Sequence, residues 1–375
     1  MHDQQLPPPP PPCEAPRAGF VGSRGCWIWA AVALLALTAA TCVTVLATAR
    51  SKGEEAFEQS VGLRDASTLW SVAGGFRAVA ADGQAGVVYA CEGSELVSLS
   101  GEGLETGRAG LSLAPARMLC AEFDGAPGKE LLITDRRRAL SGLGPTGSVL
   151  WTYDAPGDVC DVGVGDLDGD GRDEVAIAAA GHLAALDDDG RLLWQTTSMG
   201  DVISACIASV GNGGRPAVAA IASDQTLVAW SATGTRERTA GPQMRQFVRP
   251  LAGDPTAQAI TLCVLAVSPP DRSVLTFGLW AGDLCDCGGG NWLLEGGAPV
   301  WSADTSTKLP WLAIGTMDGE VRALEQVYPK FWRPRQLARF RTGPSPEVAW
   351  LDQPSATEPT LVMADGGSVT AYRLE

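Results

Sequence analysis

The sequence predicts an all-β fold, a seven-bladed β-propeller, from a repeat of nearly constant length, an acidic turn within it and an N-terminal segment that matches an internal strand. Apolar, β-branched runs start at successive spacings of 44, 44, 43, 44, 50 and 49 residues. A period in the forties with several short strands per unit is typical of propellers. The seven starts predict seven blades within residues 66–375. They are Val87, Leu131, Val175, Val218, Leu262, Leu312 and Leu361.

Each unit continues as a strand, an Asp/Gly turn and a second strand, most clearly in residues 181–194. Tryptophans recur at fixed places in the unit. We expect Trp151, Trp194 and Trp332 on outer strands, and Trp301 and Trp350 on inner strands. Such a row could stack a ligand, but apolar wedges between neighbouring blades are the favoured interpretation.

The last unit is incomplete, because the chain stops 14 residues after Leu361. Residues 68–72 read Thr-Leu-Trp-Ser-Val and match Val149–Thr152, although no complete unit precedes them. We therefore expect residues 66–72 to supply the missing outer strand and to close the ring. Closure would remove two exposed sheet edges that otherwise favour aggregation.

An acidic loop in the third unit predicts a calcium site. Its side-chain ligands would be Asp166, Asp168, Asp170 and Glu174, and the backbone carbonyl of Arg172 would add another oxygen. Ca²⁺ accepts six to eight oxygen ligands in irregular geometry, so alternating carboxylates in a Gly-containing loop suit it. The alternative is a polar turn without metal, in which four nearby carboxylates would repel one another.

An EF-hand is excluded, because the twelfth loop residue, counted from Asp166, is Ile177 instead of a glutamate and the flanks are β-branched. The loop is therefore expected to join two strands of a β-hairpin. The second unit carries Glu122, Asp124 and Glu130 at the matching places. It has Ala126 in place of the central aspartate, which predicts weak binding or none.

The Asp-x-Asp-x-Asp-Gly loop resembles the calcium hairpin of FG-GAP (VCBS-type, integrin-α-like) propeller repeats. The Leu186-Asp-Asp-Asp-Gly-Arg-Leu-Leu-Trp194 stretch is similar to repeats of quinoprotein-like propellers, which include bacterial outer-membrane assembly scaffolds. These resemblances cover roughly residues 66–375. They imply a propeller with a calcium loop. The Phe-Gly and Gly-Ala-Pro signatures of the integrin repeat are not intact, so integrin-type ligand recognition is not implied.

An uncharged apolar run over residues 27–48 predicts a single transmembrane helix, with outer limits at residues 26–49. A secretion signal cleaved at Ala49 is the alternative. Arg17 and Arg24 precede the run, and Arg50 and Lys52 follow it, so the positive-inside rule gives no direction. We expect a cytoplasmic N-terminus and an extracytoplasmic propeller, periplasmic or at the cell surface, because an acidic domain after one N-terminal helix is usually exported.

The remaining segments and the composition narrow the class of protein. Residues 1–25 hold six consecutive prolines and predict a disordered tail, while residues 50–65 predict a polar tether. The net charge of −15 makes nucleic acid an unsuitable partner. Cys285 and Cys287 could form a disulfide or bind metal, although the second cysteine pair that zinc would need is missing.

The sequence lacks the residues of a common catalytic centre. Its two histidines, His2 and His182, cannot supply a histidine-based triad or metal centre, and no phosphate-binding glycine loop is found. We therefore expect a non-enzymatic binding or scaffold module for a protein or glycan partner, anchored by one helix. A quinoprotein-like, cofactor-dependent oxidoreductase is the alternative. The ligand and the oligomeric state are left open.

Overall fold

The computed structural model describes an all-β domain, and its strands lie in one compact unit, Leu63–Glu375. The described residues are 66–126, 128–197, 199–210, 215–224, 226–240, 247–251, 260–268, 272–281, 284–286, 292–294, 300–306, 308–309, 311–316, 319–326 and 334–374. They form seven antiparallel sheets, six of four strands and one of five.

The strands follow one another in chain order, and each sheet except the last is built from consecutive strands. The chain begins with β1 (Ala66–Ala73). Sheet 1 holds β2 (Phe76–Asp82), β3 (Val87–Glu92), β4 (Glu95–Ser100) and β5 (Glu105–Gly110). Sheet 2 holds β6 (Arg117–Ala121), β7 (Glu130–Thr134), β8 (Ala139–Leu143) and β9 (Val149–Asp154). Sheet 3 holds β10 (Val159–Gly165), β11 (Glu174–Ala179), β12 (His182–Leu186) and β13 (Leu192–Thr196).

The later sheets repeat this plan. Sheet 4 holds β14 (Val202–Val210), β15 (Arg215–Ala222), β16 (Leu227–Ser231) and β17 (Arg236–Ala240). Sheet 5 holds β18 (Phe247–Leu251), β19 (Ile260–Ser268), β20 (Arg272–Ala281), β21 (Leu284–Asp286) and β22 (Trp292–Leu294), and the last two both pair with β20. Sheet 6 holds β23 (Val300–Thr305), β24 (Trp311–Thr316), β25 (Glu320–Gln326) and β26 (Pro334–Arg341). Sheet 7 holds β27 (Glu347–Leu351), β28 (Thr360–Ala364), β29 (Ser368–Leu374) and β1.

The predicted start of each sequence repeat lies in the second strand of its sheet. The seven predicted starts fall in β3, β7, β11, β15, β19, β24 and β28. All six residues of β11 are buried, as are all six of β24. A strand covered on both faces tolerates a continuous apolar run, and this explains why the second strand carries the clearest repeat signal.

Sheet 7 combines the two ends of the described chain. Strand β1 pairs antiparallel with β29, with Ala66 opposite Leu374 and Val72 opposite Val369. Residues 66–72, expected to act as an outer strand, therefore occupy the outermost place of this sheet.

The core consists of apolar layers between successive sheets. Val88 and Val97 of sheet 1 pack with Val362 and Val369 of sheet 7, and further clusters join sheets 1 and 2, 2 and 3, 3 and 4, and 6 and 7. First strands also contact one another in the order β2, β6, β10, β14, β18, β23, β27 and again β2. Stability therefore depends on face-to-face packing of whole sheets.

Within the residues described, no helix has the length and apolar character needed to cross a membrane. The predicted span at residues 27–48, the tail at residues 1–25 and the tether at residues 50–65 lie outside those residues.

Candidate metal centre

The acidic loop of the third unit connects the first two strands of sheet 3. Gly165, the last residue of β10, lies opposite Glu174, the first residue of β11. The hairpin expected from the flanking β-branched residues is therefore present. Two positive-φ glycines, Gly169 at 89° and Gly171 at 91°, turn the chain between the strands, a conformation that other residues adopt at a cost.

The loop brings three of the predicted ligands together. One carboxylate oxygen from each of Asp166, Asp168 and Glu174 lies within 4.8 Å of the other two. Backbone amides fix all three side chains. Asp166 accepts from Gly169 at 2.6 Å and from Gly171 at 3.1 Å, Asp168 accepts from Asp170 at 3.1 Å, and Glu174 accepts from Leu167 at 2.6 Å. The three carboxylates are thus held in place by the fold of their own loop.

Asp170 and Arg172 have other contacts. Asp170 is not a member of the three-carboxylate group, and its Oδ1 accepts a hydrogen bond from the Arg172 amide at 2.8 Å. The Arg172 guanidinium donates to Asp188 Oδ2 at 2.7 Å, in the turn between β12 and β13. This ion pair ties the acidic loop to the neighbouring turn of the same sheet.

Burial and repulsion between neighbouring carboxylates affect the pKa of Glu174 in this group. Glu174 is buried, and this burial raises the pKa of its carboxyl to about 7. Repulsion from Asp168 and Asp170 adds to the rise, while the hydrogen bond from the Leu167 amide opposes it. A carboxylate held in this way is stabilised in its charged form by a nearby cation.

The second unit forms a similar arrangement of three carboxylates. Glu122, Asp124 and Glu130 also bring one oxygen each within 4.8 Å of the others. Phe123 donates to Glu130 Oε2 at 2.8 Å, just as Leu167 donates to Glu174. At the predicted side-chain ligand positions, the second loop differs from the third by Glu122 in place of Asp166 and by Ala126 in place of Asp170.

The two acidic loops are joined directly. Asp173 accepts a hydrogen bond from the Glu122 amide at 2.8 Å, and its own amide donates to the Glu122 carbonyl at 2.6 Å. Burial raises the pKa of Asp173, and the bond from the Glu122 amide lowers it. Sequence reasoning missed this link because the partners lie in different repeats. The only available signal was an aspartate immediately before the closing glutamate, at the place where the second unit has Lys129.

Comparison with known proteins supports the fold. The family described as the Lambda-carrageenase beta-propeller domain matches residues 138–243. Curated proteins give no match. The structure is similar to Raptor from Chaetomium thermophilum, with a TM-score of 0.59 and 11% identity over 84% of this chain and 29% of that one. It is also similar to the Pan2 WD40 domain from Neurospora crassa, with a TM-score of 0.53 and 11% identity over 83% and 96% of the two chains.

A third likeness is to BamB from Moraxella catarrhalis, at a TM-score of 0.44 and 17% identity over 80% of this chain and 85% of that one. This chain spans less than a third of the Raptor chain. At such identities the likeness concerns the fold alone. Together with the repeated antiparallel sheets, the Raptor and Pan2 likenesses define the class of the molecule as a β-propeller.

Proposed function

We propose that this protein is a seven-bladed β-propeller whose ring is closed by β1 and that it acts as a non-enzymatic binding or scaffold module. The observation that carries the ring closure is the composition of sheet 7, in which β1 pairs with β29 from the other end of the described chain. The contacts of first strands from sheet 1 through sheet 7 and again to sheet 1 support the blade count.

The scarcity of histidine supports the proposed non-enzymatic role. General acid–base or nucleophilic catalysis usually needs a histidine or a comparably activated group. His182, at the start of β12, is the one histidine among the described residues. The alternative is a quinoprotein-like oxidoreductase. Quinone absorbance after reconstitution, together with dye reduction on alcohols or sugars, would replace the binding proposal with that alternative.

We propose a protein or glycan as the partner. The family match to a Lambda-carrageenase propeller domain over residues 138–243 supports the glycan class. Affinity capture with the full chain, followed by mass spectrometry of proteins and composition analysis of bound sugars, tests the proposal. Capture of neither class by a correctly folded chain would contradict it.

We propose further that the Asp166–Glu174 loop holds one structural Ca²⁺. The residues fit the ion: Asp166, Asp168 and Glu174 already converge, and Asp170 and the Arg172 carbonyl are the remaining predicted ligands. The ion would supply positive charge to crowded carboxylates. At a free concentration 100 times Kd it would stabilise the fold by about 2.7 kcal/mol, provided that the unfolded chain does not bind.

The proposed location is a membrane, with residues 27–48 as a single span, the N-terminus in the cytoplasm and the propeller outside it. The uncharged apolar run supports this location. An anchored propeller would present its loop-rich faces to partners outside the cytoplasm, whether periplasmic or at the cell surface.

A further inference from the structure

Exposed apolar side chains lie in the outermost strands of sheets 7, 2 and 3, and one more, Leu104, lies just before the outermost strand of sheet 1. We call this set the apolar rim. Its members are Leu69, Leu104, Val149, Leu150, Leu192 and Leu193. Their exposure runs from 38% for Leu69 to 68% for Leu104. Single exposed leucines are ordinary, but a repeated set at equivalent places in a fold indicates an interaction surface.

A β-bulge creates the rim. In sheet 2, Gly142 lies opposite Trp151 but Leu143 lies opposite Val149, so Leu150 is an extra residue in β9. The same slip leaves Leu69 extra in β1 and Leu193 extra in β13. Bulges change the direction of side chains. Here each bulged leucine is exposed, while the tryptophan that follows it packs toward the next sheet.

Two of those tryptophans reach from one sheet to a turn of the next. A Cβ on Gly103 of sheet 1 would lie 2.6 Å from the ring of Trp70, next to Leu69. A Cβ on Gly190 of sheet 3 would lie 2.5 Å from the ring of Trp151, next to Leu150. Each glycine belongs to the turn that leads into the next exposed apolar residues. The tryptophans therefore link sheet 7 to sheet 1 and sheet 2 to sheet 3, whereas in β5 the places equivalent to Val149 and Leu150 hold Glu105 and Thr106.

Next to the rim, a loop and a turn at one end of the strands of sheet 3 form a strongly acidic surface, which we call the acidic edge. In sheet 3, the start of β11 lies opposite the end of β12, so the acidic loop and the turn before β13 share one edge. Residues 166–174 and 187–191 carry eight carboxylates and two arginines. The two arginines pair with Asp188 and Asp189. These residues sum to a formal charge of −6, or −4 with the proposed Ca²⁺ bound, so a partner for this surface needs apolar side chains for the rim and positive charge for the edge.

We propose that the apolar rim docks a cationic, apolar polypeptide segment, one that combines Lys or Arg with Leu, Ile or Val. This inference rests on the proposed binding role and names the partner class. Apolar contact on Leu150 and Leu193 supplies affinity, and the acidic edge of sheet 3 favours a basic partner over a neutral or acidic one. Strands β9 and β13 begin with exposed apolar pairs, Val149-Leu150 and Leu192-Leu193, in place of the charged residues that usually protect sheet edges.

The test measures fluorescence anisotropy of a short labelled peptide of alternating Lys and Leu with the full chain. We expect saturable binding that weakens at high salt. The variant Leu150→Ser/Leu193→Ser should weaken it at least about tenfold. The matched variant Leu150→Ile/Leu193→Ile should bind like the wild type. Both variants should keep the wild-type circular dichroism spectrum, because the replaced side chains are about half exposed.

Two further peptides separate the contributions. Replacing leucine by serine in the peptide, or lysine by glutamate, should each reduce binding at least about tenfold. Equal binding of the Glu and Leu peptide, or an unchanged affinity of the serine variant, would overturn the proposal. A wild-type dimer that becomes monomeric in the serine variant would assign the rim to a second copy. Leucine-dependent flotation with phosphatidylcholine vesicles would assign it to a lipid surface.

The capture experiment on the full chain distinguishes this inference from the proposed function. If the serine variant captures the same partner as the wild type, the rim proposal is wrong and the binding role stands. If neither protein captures a partner but the wild type binds the Lys and Leu peptide at the rim, the peptide result supports the rim and the proposed protein or glycan partner loses its support.

Discussion

Glu174 shows how one buried acid links pH, metal and stability. Its pKa is raised by burial to about 7 from an ordinary value of 4.5, so the folded chain binds this proton more tightly than the unfolded chain does. Without metal, its contribution to stability therefore falls as pH rises from 4.5 to 7 and is constant above that range. Above that range, the ionised carboxylate lowers the free energy of unfolding of the metal-free protein by at most about 3 kcal/mol.

Replacing Glu174 by glutamine should therefore stabilise the metal-free protein well above pH 7 and have little effect below pH 4.5. Urea unfolding in the presence of a chelator measures both values. Glutamine keeps an oxygen that can accept the Leu167 amide, so the comparison isolates the charge. Lower stability of the variant at high pH in chelator would show that the carboxylate is not strained by burial.

The calcium prediction separates the two acidic loops at single residues. Asp168→Ala should abolish the rise in melting temperature that millimolar Ca²⁺ produces, because it removes one of three converging carboxylates. Asp124→Ala is the matched control in the second loop and should leave that rise nearly unchanged. Calorimetry with Ca²⁺ gives the stoichiometry. Two bound ions, or loss of binding in Asp124→Ala alone, would contradict the assignment to the third unit.

Local spacing predicted the three side chains of the third loop that converge, but it also named Asp170, which is not a member of that group. Asp166, Asp168 and Glu174 lie within nine residues of one another, and their own backbone amides position them. The ties of Asp173 to Glu122 and of Arg172 to Asp188 could not be predicted. They join different hairpins or different sheets, and so they depend on tertiary packing that no spacing encodes.

At the level of elements, the outer-strand tryptophans act as wedges on the turn glycines of the next sheet. The Trp194 ring covers Gly234, whose φ is +74°, and a Cβ there would lie 2.7 Å from the ring. Trp194 also donates from Nε1 to the Ala232 carbonyl at 3.0 Å. The wedge interpretation of Trp151 and Trp194 therefore agrees with the packing. Trp332 lies outside the described residues.

Gly234→Ala should destabilise the fold by about 2–3 kcal/mol, from an unfavourable backbone conformation together with a clash against Trp194. Gly181→Ala is the matched control. Its φ of +72° is nearly the same, but nothing lies within 4 Å of the added Cβ, so only about 1 kcal/mol is expected. Chemical denaturation of both variants measures the difference. Equal losses would mean that the tryptophan contact adds nothing.

The closing strand gives a second prediction at this level. Deleting residues 66–72 should lower the melting temperature by many degrees, because β29 would lose its outer partner and sheet 7 would expose a new edge. Deleting Pro7–Pro12 is the control and should change nothing in the melting of the domain. A truncated protein that melts with the full chain would show that closure by β1 does not contribute to stability.

The order of the strands was more predictable than the pairing register of the outermost strands. Second strands repeat because they are buried on both faces, and this made the sequence period visible. The bulges that expose Leu150 and Leu193 gave no comparable signal, because one extra residue in a strand leaves the repeat length unchanged. The apolar rim therefore became apparent only from the register of strand pairing.

For the whole molecule, the proposed span at residues 27–48 leads to a prediction about the side of the membrane on which the propeller lies. Arg17 and Arg24 before residues 27–48 balance Arg50 and Lys52 after them, so loop charge does not fix the orientation. The large acidic domain after a single apolar run favours export, and a calcium loop is best supplied where free Ca²⁺ is near millimolar. Both arguments favour the proposed orientation, with the propeller outside the cytoplasm and residue 1 inside it.

Protease treatment of intact cells or spheroplasts should therefore digest the propeller and spare a tag at residue 1. Detergent lysis, which exposes both sides, is the control and should allow the tag to be digested as well. Protection of the propeller with loss of the tag would reverse the orientation. A mature N-terminus at Arg50 would instead show that residues 27–48 are a cleaved signal, and the propeller would then be exported without an anchor.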